Sequence, residues 1–219
     1  MKPLLYDISP PLTPDLAVFP GDVELSREFI LRCEDGDLVT LSTLRATVHL
    51  GAHVDAQSHY KVGGKGIDQT PLSRLLGRCR LVHVPANRDG IIDAETLELN
   101  LSKQGTNGGN LASRILVATG SCPDPNQWTK NFTALAPESI DWLAHRGVFT
   151  IGIDTPSIDP AESKSLPAHA AVNRHGMTIL EGLVLKDVPA GDYELIALPL
   201  RLVGFDASPV RAVLRQLDR

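Results

Sequence analysis

Three histidines and an aspartate fall within eleven residues of this sequence, His49-Leu50-Gly51-Ala52-His53-Val54-Asp55-Ala56-Gln57-Ser58-His59. An even spread of the chain's 7 histidines would place about 0.35 in such a window, so the clustering carries information. Neutral imidazole and carboxylate are ligand types that zinc, manganese and iron accept. Sites built from them tend to keep a position open for water, where a bound cation polarises a carbonyl and activates water for hydrolysis. A metal that only props up a fold is more often enclosed by cysteines, and this window has none.

His49 and His53 have the i, i+4 spacing of a helical ligand pair. Yet Val48, Gly51 and Val54 make a poor helix, and the residues before them alternate as a strand does. In an extended chain, positions 49, 53, 55 and 59 share one face. A straight strand would hold His49 and His53 about 13 Å apart at Cα, which strains convergence on one ion. A bulge or turn at Gly51 is therefore expected to bring His49, His53 and Asp55 together.

The elements around this window alternate in type. Strands are expected at 4–8, 23–30, 38–50, 80–84, 115–119, 148–153 and 193–200. A short helix should run from Thr70-Pro71 to a stop at Gly77, with longer ones at 137–146 and 166–175, and a terminal one at 208–217 opened by Ser208-Pro209. Residues 63–66, 87–90, 105–110 and 122–130 read as turns or loops. The first fifty residues hold almost no helix. The expectation is therefore α/β: a single domain over residues 1–219 with a strand-rich mixed sheet.

Composition narrows the function classes. The 219 residues carry a net charge of −5, which argues against a general nucleic-acid binder. No apolar run approaches ~18 residues, and no basic segment followed by an apolar one opens the chain, so neither a membrane partner nor secretion is expected. The three cysteines (Cys33, Cys79 and Cys122) form no CxxC pair; buried thiols in a reducing cytoplasm are the natural expectation. His83 falls in a strand, and His145 and His175 fall at helix C-termini, where the helix dipole favours a cation. Asp154-Thr155, at a strand end, suits a turn or a site wall equally.

The pattern His49-x-Gly51-x-His53-x-Asp55-x-x-x-His59 resembles the signature of the metal-dependent cyclase/amidohydrolase family, and most of all its bacterial kynurenine formamidases (arylformamidases). Further blocks carry the likeness: Tyr6-Asp7-Ile8-Ser9-Pro10, Phe19-Pro20-Gly21-Asp22, Gly66-Ile67-Asp68 and Ile151-Gly152-Ile153-Asp154-Thr155-Pro156-Ser157. Beyond them come Leu166-Pro167-x-His169, Ile179-Leu180-Glu181-Gly182-Leu183 and Asp206-Ala207-Ser208-Pro209. The resemblance implies a swivelling β/β/α fold, two zinc ions per chain (manganese being the alternative metal) and a homodimer. It implies a small-molecule substrate, N-formyl-L-kynurenine, hydrolysed to L-kynurenine and formate in tryptophan catabolism. Another cyclic or aryl amide, such as isatin, is the alternative substrate. A non-catalytic metal-dependent binding protein is the alternative from a different class, and the intact His59 speaks against it.

Residue by residue, the resemblance makes His49 and His53 ligands of one zinc and His169 a ligand of the second, with Asp55 and Glu181 shared between them. His59 resembles the catalytic acid/base, with a role as a third ligand as its alternative. Phe19 occupies a substrate-packing position where the formamidases commonly carry tryptophan. Ala52 and Gln57 stand where the family has threonine and proline. Both departures leave the ligands intact and bear on the loop and hydrogen bonds behind them.

Overall fold

The computed structural model describes residues 4–85, 90–105 and 111–217. In chain order the strands are β1 (Leu5–Asp7), β2 (Ser26–Leu31), β3 (Leu41–Arg45), β4 (His53–Asp55), β5 (Leu76–His83), β6 (Ile91–Ile92), β7 (Arg114–Ala118), β8 (Ala134–Leu135), β9 (Thr150–Ile153), β10 (Thr178–Glu181), β11 (Gly191–Ile196), β12 (Ala207–Pro209) and β13 (Val213–Gln216). The helices are α1 (Gln57–Tyr60), α2 (Ala94–Lys103), α3 (Pro137–Ala144) and α4 (Pro167–His175). Nine strands join in one mixed sheet in the order β1-β13-β11-β5-β7-β9-β10-β4-β12. Its centre, β5-β7-β9-β10, is parallel, and antiparallel pairs extend it on both sides.

Parallel strands buried on both faces need apolar residues in succession. Ile115-Leu116-Val117 in β7 and Ile179-Leu180 in β10 supply them, all fully buried. Alternate side chains feed two cores. Ile115, Val117, Ile151 and Ile179 pack with Leu97, Ile140, Leu143 and Val172 from α2, α3 and α4. Leu81, Leu116 and Leu180 pack on the opposite face with Leu195 and Leu214. Each such side chain removed from water contributes roughly 1.5–3 kcal/mol. A strand-rich mixed α/β architecture is what the sequence implies. Among the described residues, no helix is long and apolar enough to cross a membrane.

Several boundaries differ from expectation. Residues 208–217 form no helix: β12 pairs with β4, and β13 lies between β11 and β1. The Ser208-Pro209 signal is overridden by sheet pairing, and Pro209, lacking an N–H, is tolerated because β12 is an edge strand. The expected strand at 38–50 shortens to β3, which forms an exposed hairpin with β2; the chain then leaves the ladder before His49. The short helix after Pro71 is a single 3₁₀ turn, Leu72–Arg74. Helix α2 was not expected, although Asp93 caps it by accepting the Thr96 N–H. Cys79 is buried as expected and Cys122 half-buried, but Cys33 is exposed. The expected loops at 87–90 and 105–110 lie almost wholly outside the described residues.

Candidate metal centre

Strand β4 carries two of the candidate groups on one face. His53 and Asp55 are two residues apart, and Glu181 of β10 stands directly opposite His53 in antiparallel register. Opposed residues bring their Cβ atoms to about 4.5–5.5 Å, so one ladder assembles an imidazole and two carboxylates. Gly51, with φ +57, turns the chain before β4 and returns His49 to the same place. The expected turn at Gly51 is therefore present. The fifth group, His169, enters from the first turn of α4, which Pro167 opens.

The carboxylates present one oxygen to each side. His53 Nε2 lies 3.4 Å from Asp55 Oδ1 and 3.4 Å from Glu181 Oε2. His169 Nε2 lies 3.4 Å from Asp55 Oδ2 and 3.7 Å from Glu181 Oε1. His49 Nδ1 joins the first side, 3.1 Å from Asp55 Oδ1. Asp55 and Glu181 therefore each face imidazoles on both sides.

Each histidine is held from behind. His53 Nδ1 donates to Gly51 O at 2.8 Å, His169 Nδ1 to Asp159 Oδ2 at 2.7 Å, and His49 Nε2 to Asp206 Oδ2 at 2.9 Å. With one nitrogen occupied as a donor, the other faces the carboxylates and offers them a proton or, once that proton is lost, offers a cation its lone pair. Histidine ligands are ordinarily braced in this way. Asp159 also accepts the N–H groups of Ala168 and His169, fixing the start of α4. Asp159 and Asp206 escaped sequence reasoning because both lie in loops without a ligand-like pattern, and Asp206 is also remote from His49 in the chain; Asp206 stood in a recognised block, but without a role.

A cation fits this centre on the structure's own terms. His53 Nε2, His169 Nε2 and both Asp55 oxygens are buried and form no hydrogen bond within the protein. Leaving buried polar atoms unsatisfied costs about 1–3 kcal/mol each, and more when they are charged. Burial disfavours charge on His49 and His169, yet the carboxylates around them prevail and push their pKa values up to about 9 and about 10. His53 is raised in the same sense against its own burial, by Glu181 and Asp55. Burial pushes the Asp55 carboxyl up, but His169 and His49 outweigh it and hold it well below the ordinary range. A field that gathers protons this strongly also gathers divalent cations. Among the described residues, His53/Asp55/Glu181 and His49/Asp55/His59 are the groupings compact enough to hold an ion, and Asp55 belongs to both.

His59 sits at the margin. It lies on α1, its ring 4.2 Å from that of His49 and 6.0 Å from that of His169, and its side chain keeps 35% exposure. Burial is the main reason its pKa falls below the ordinary imidazole value, so it is neutral near pH 7. Gln57, at the position where the family has proline, starts α1 and ties it to α4 by donating to Asn173 Oδ1 at 2.9 Å. Ala52 is buried in the core. His83, His145 and His175 lie elsewhere: His83 donates to Val188 O, and His175 contacts Asp141. Asp154 lines the cavity below, but its carboxylate is taken up by Thr119 and Gly120 at the end of β7.

The centre opens on a cavity of about 740 Å³ lined by His49, His53, His59, His169 and Glu181, and also by Phe19, Trp128, Leu185 and Lys186. The Cyclase family model ("Putative cyclase") matches residues 6–160, most of the chain and all of the histidine cluster. The chain belongs to the cyclase family. Over 99% of its length this cyclase-family chain superposes on a potential metal-dependent hydrolase with cyclase activity, covering 100% of that chain with a TM-score of 0.81 and 27% identity. A predicted metal-dependent hydrolase from Bacillus stearothermophilus matches at 28% identity and TM-score 0.80, over 98% of this chain and 99% of that one. Isatin hydrolase A from Labrenzia aggregata shares the fold at 21% identity and TM-score 0.80, over 99% of this chain and 94% of that one.

Proposed function

We propose that this cyclase-family chain is a metal-dependent amidohydrolase that cleaves N-formyl-L-kynurenine to L-kynurenine and formate. The observation that carries the reading is the convergence of His53 Nε2, His169 Nε2 and both Asp55 oxygens, buried and unpaired, behind the wall that His53 and His169 give to a large cavity. In this reading His49 and His53 would hold one zinc or manganese ion and His169 a second, with Asp55 and Glu181 contributing to both. When bound, the cations supply Lewis-acid polarisation of the amide carbonyl and a lowered pKa for water.

The chain's own residues do the rest. Gly51 O, Asp159 and Asp206 keep the three imidazoles in the tautomer that faces inward. His59, neutral near pH 7, accepts a proton as water adds to the formyl carbon and returns it to the nitrogen as the C–N bond breaks. The products are formate and an aryl amine. Phe19 contributes an aromatic surface to the cavity. Lys186 is the one lysine or arginine among the residues lining it and forms no ion pair with a described residue, so it is suited to the substrate's carboxylate.

A cyclic aryl amide such as isatin is the second reading, favoured by the shared fold of isatin hydrolase and by Phe19 in a position where formamidases carry a larger ring. The homodimer belongs to the same proposal. The hairpin β2–β3, exposed along both strands and bearing Phe29, Ile30 and Leu44, offers it an apolar surface, and light scattering would read the mass.

The deciding experiment measures initial rates of the metal-loaded protein on N-formyl-L-kynurenine and on isatin. The proposal expects kcat/KM at least tenfold higher for the formamide. A reversed preference assigns the cyclic amide, and no turnover of either leaves the metal-dependent binding protein.

A further inference from the structure

Phe19 does not stand alone in the cavity wall. Its ring meets that of Trp128 edge to face, with centroids 4.8 Å apart and planes at 68°. Trp128 in turn meets Phe132 at 6.2 Å and 78°, and Phe132 is buried. The row of rings therefore runs from the cavity into the body of the protein, although its members come from two distant parts of the chain.

Both supporting loops are anchored. The Phe19 loop rests on Leu16, which packs with Leu25 and with Leu50, the neighbour of His49. The Trp128 loop is closed at its base where Ser121 Oγ accepts the Thr133 N–H at 3.0 Å. Ala17 N donates to Pro125 O at 3.1 Å and joins the two loops. A half-buried tryptophan on a braced loop, lining a concave site, is costly to leave facing water and well suited to a flat apolar ligand.

We propose that Trp128 is a specificity-determining residue that, with Phe19, forms a two-ring wall selecting amides carried on an aromatic ring over alkyl amides. The proposal rests on the amidohydrolase reading and names its substrate class. Aromatic pairing beyond simple area burial corresponds to about 2- to 13-fold in binding. Trp128→Ala also removes apolar area, so a loss at or above the upper end is expected.

Two measurements test it. In the first, 2-formamidoacetophenone and N-butylformamide are compared as substrates of the metal-loaded protein. Trp128→Ala should raise KM about tenfold or more for the aryl formamide, with kcat within about twofold, and leave kcat/KM for the alkyl formamide unchanged. Trp128→Phe should recover most of the loss. An equal loss on both substrates, or none on either, overturns the proposal.

The second measurement is independent of turnover. Trp142 is the other tryptophan; it packs beside the α3 core under Arg146, away from the cavity lining. Trp142→Phe thus leaves Trp128 as the sole indole emitter, and 2-aminoacetophenone serves as the probe. Saturable quenching by this aryl amine, absent with N-butylformamide, supports the wall even if no amide is hydrolysed, in which case the hydrolase reading alone fails. Absence of saturable quenching in that variant overturns the wall.

Discussion

Gly182 meets the carbonyl of Gly51 so closely that a Cβ at position 182 would lie 2.2 Å from that oxygen. The contact joins the turn between His49 and His53 to the residue after Glu181, so the two parts of the metal centre approach this closely because residue 182 has no side chain. Gly182 also has φ +65, where L side chains are strained.

Gly182→Ala should therefore cost more than backbone strain. Gly176 has φ +58 with open space around its missing Cβ, so Gly176→Ala measures the strain alone, about 1–2 kcal/mol. For Gly182→Ala the loss should be roughly 3 kcal/mol or more. At about 2–4 °C per kcal/mol, thermal melting should separate the two variants, and metal affinity should fall only in Gly182→Ala. Equal melting shifts would mean that the contact has relaxed.

His59 and His53 should part company on substitution. His59→Ala is expected to retain its metal while kcat falls about 10²–10⁴-fold, the range for a lost general acid/base. His53→Ala should lose metal and activity together, because its buried Nε2 faces both carboxylates. Elemental analysis of the two purified variants distinguishes them. An emptied site in His59→Ala would make His59 a ligand, consistent with its place beside His49 and Asp55.

Asp159 is expected to act through His169. Its Oδ2 lies 2.7 Å from His169 Nδ1, and Asp159→Asn replaces a charged acceptor with an amide. Loss of such a partner typically lowers metal affinity 10- to 100-fold. Competition with a chromogenic chelator should show one ion weakened by that factor and the other little changed. Equal weakening of both would indicate a general loosening of α4.

Acidity should oppose metal binding over an unusually wide range. With His49 near 9 and His169 near 10 in the metal-free protein, a cation must displace protons at neutral pH. Apparent affinity should rise with pH between about 6 and 9, by up to tenfold per unit for each proton released. The metal-free fold has the opposite sign. Both histidines have pKa values raised above 6.5, so their contribution to stability is complete below that value and is lost as pH rises through 9–10. The depressed pKa of Asp55 reflects the same contacts and adds no separate effect. Melting of chelator-treated protein at pH 6 and pH 10 checks this; a higher melting temperature at pH 10 would contradict it.

The centre was legible where chemistry and chain order coincide. His49, His53 and Asp55 stand within seven residues, and Gly51 announces its turn. Glu181 was placed by resemblance; the register of β10 against β4 explains why it must face His53. Asp206 and Trp128 were not assigned roles, because each works with a partner far away in the chain; Asp159 lies only ten residues before His169, but in a loop with no pattern that ties it to the helix. The fold was read well in its parallel centre, where apolar runs leave little choice. It was misread at 208–217, where a helix-opening Ser-Pro met strands waiting on either side.

The central claim is a two-cation amidohydrolase, and one titration addresses it most directly. Protein stripped with a chelator is reloaded with measured zinc while formate release from N-formyl-L-kynurenine is followed. The account predicts no turnover without metal, with the fold retained by circular dichroism, and a rate that rises to a plateau at two equivalents per chain. Full turnover by the stripped protein, or a plateau of bound zinc with no formate released, would contradict it.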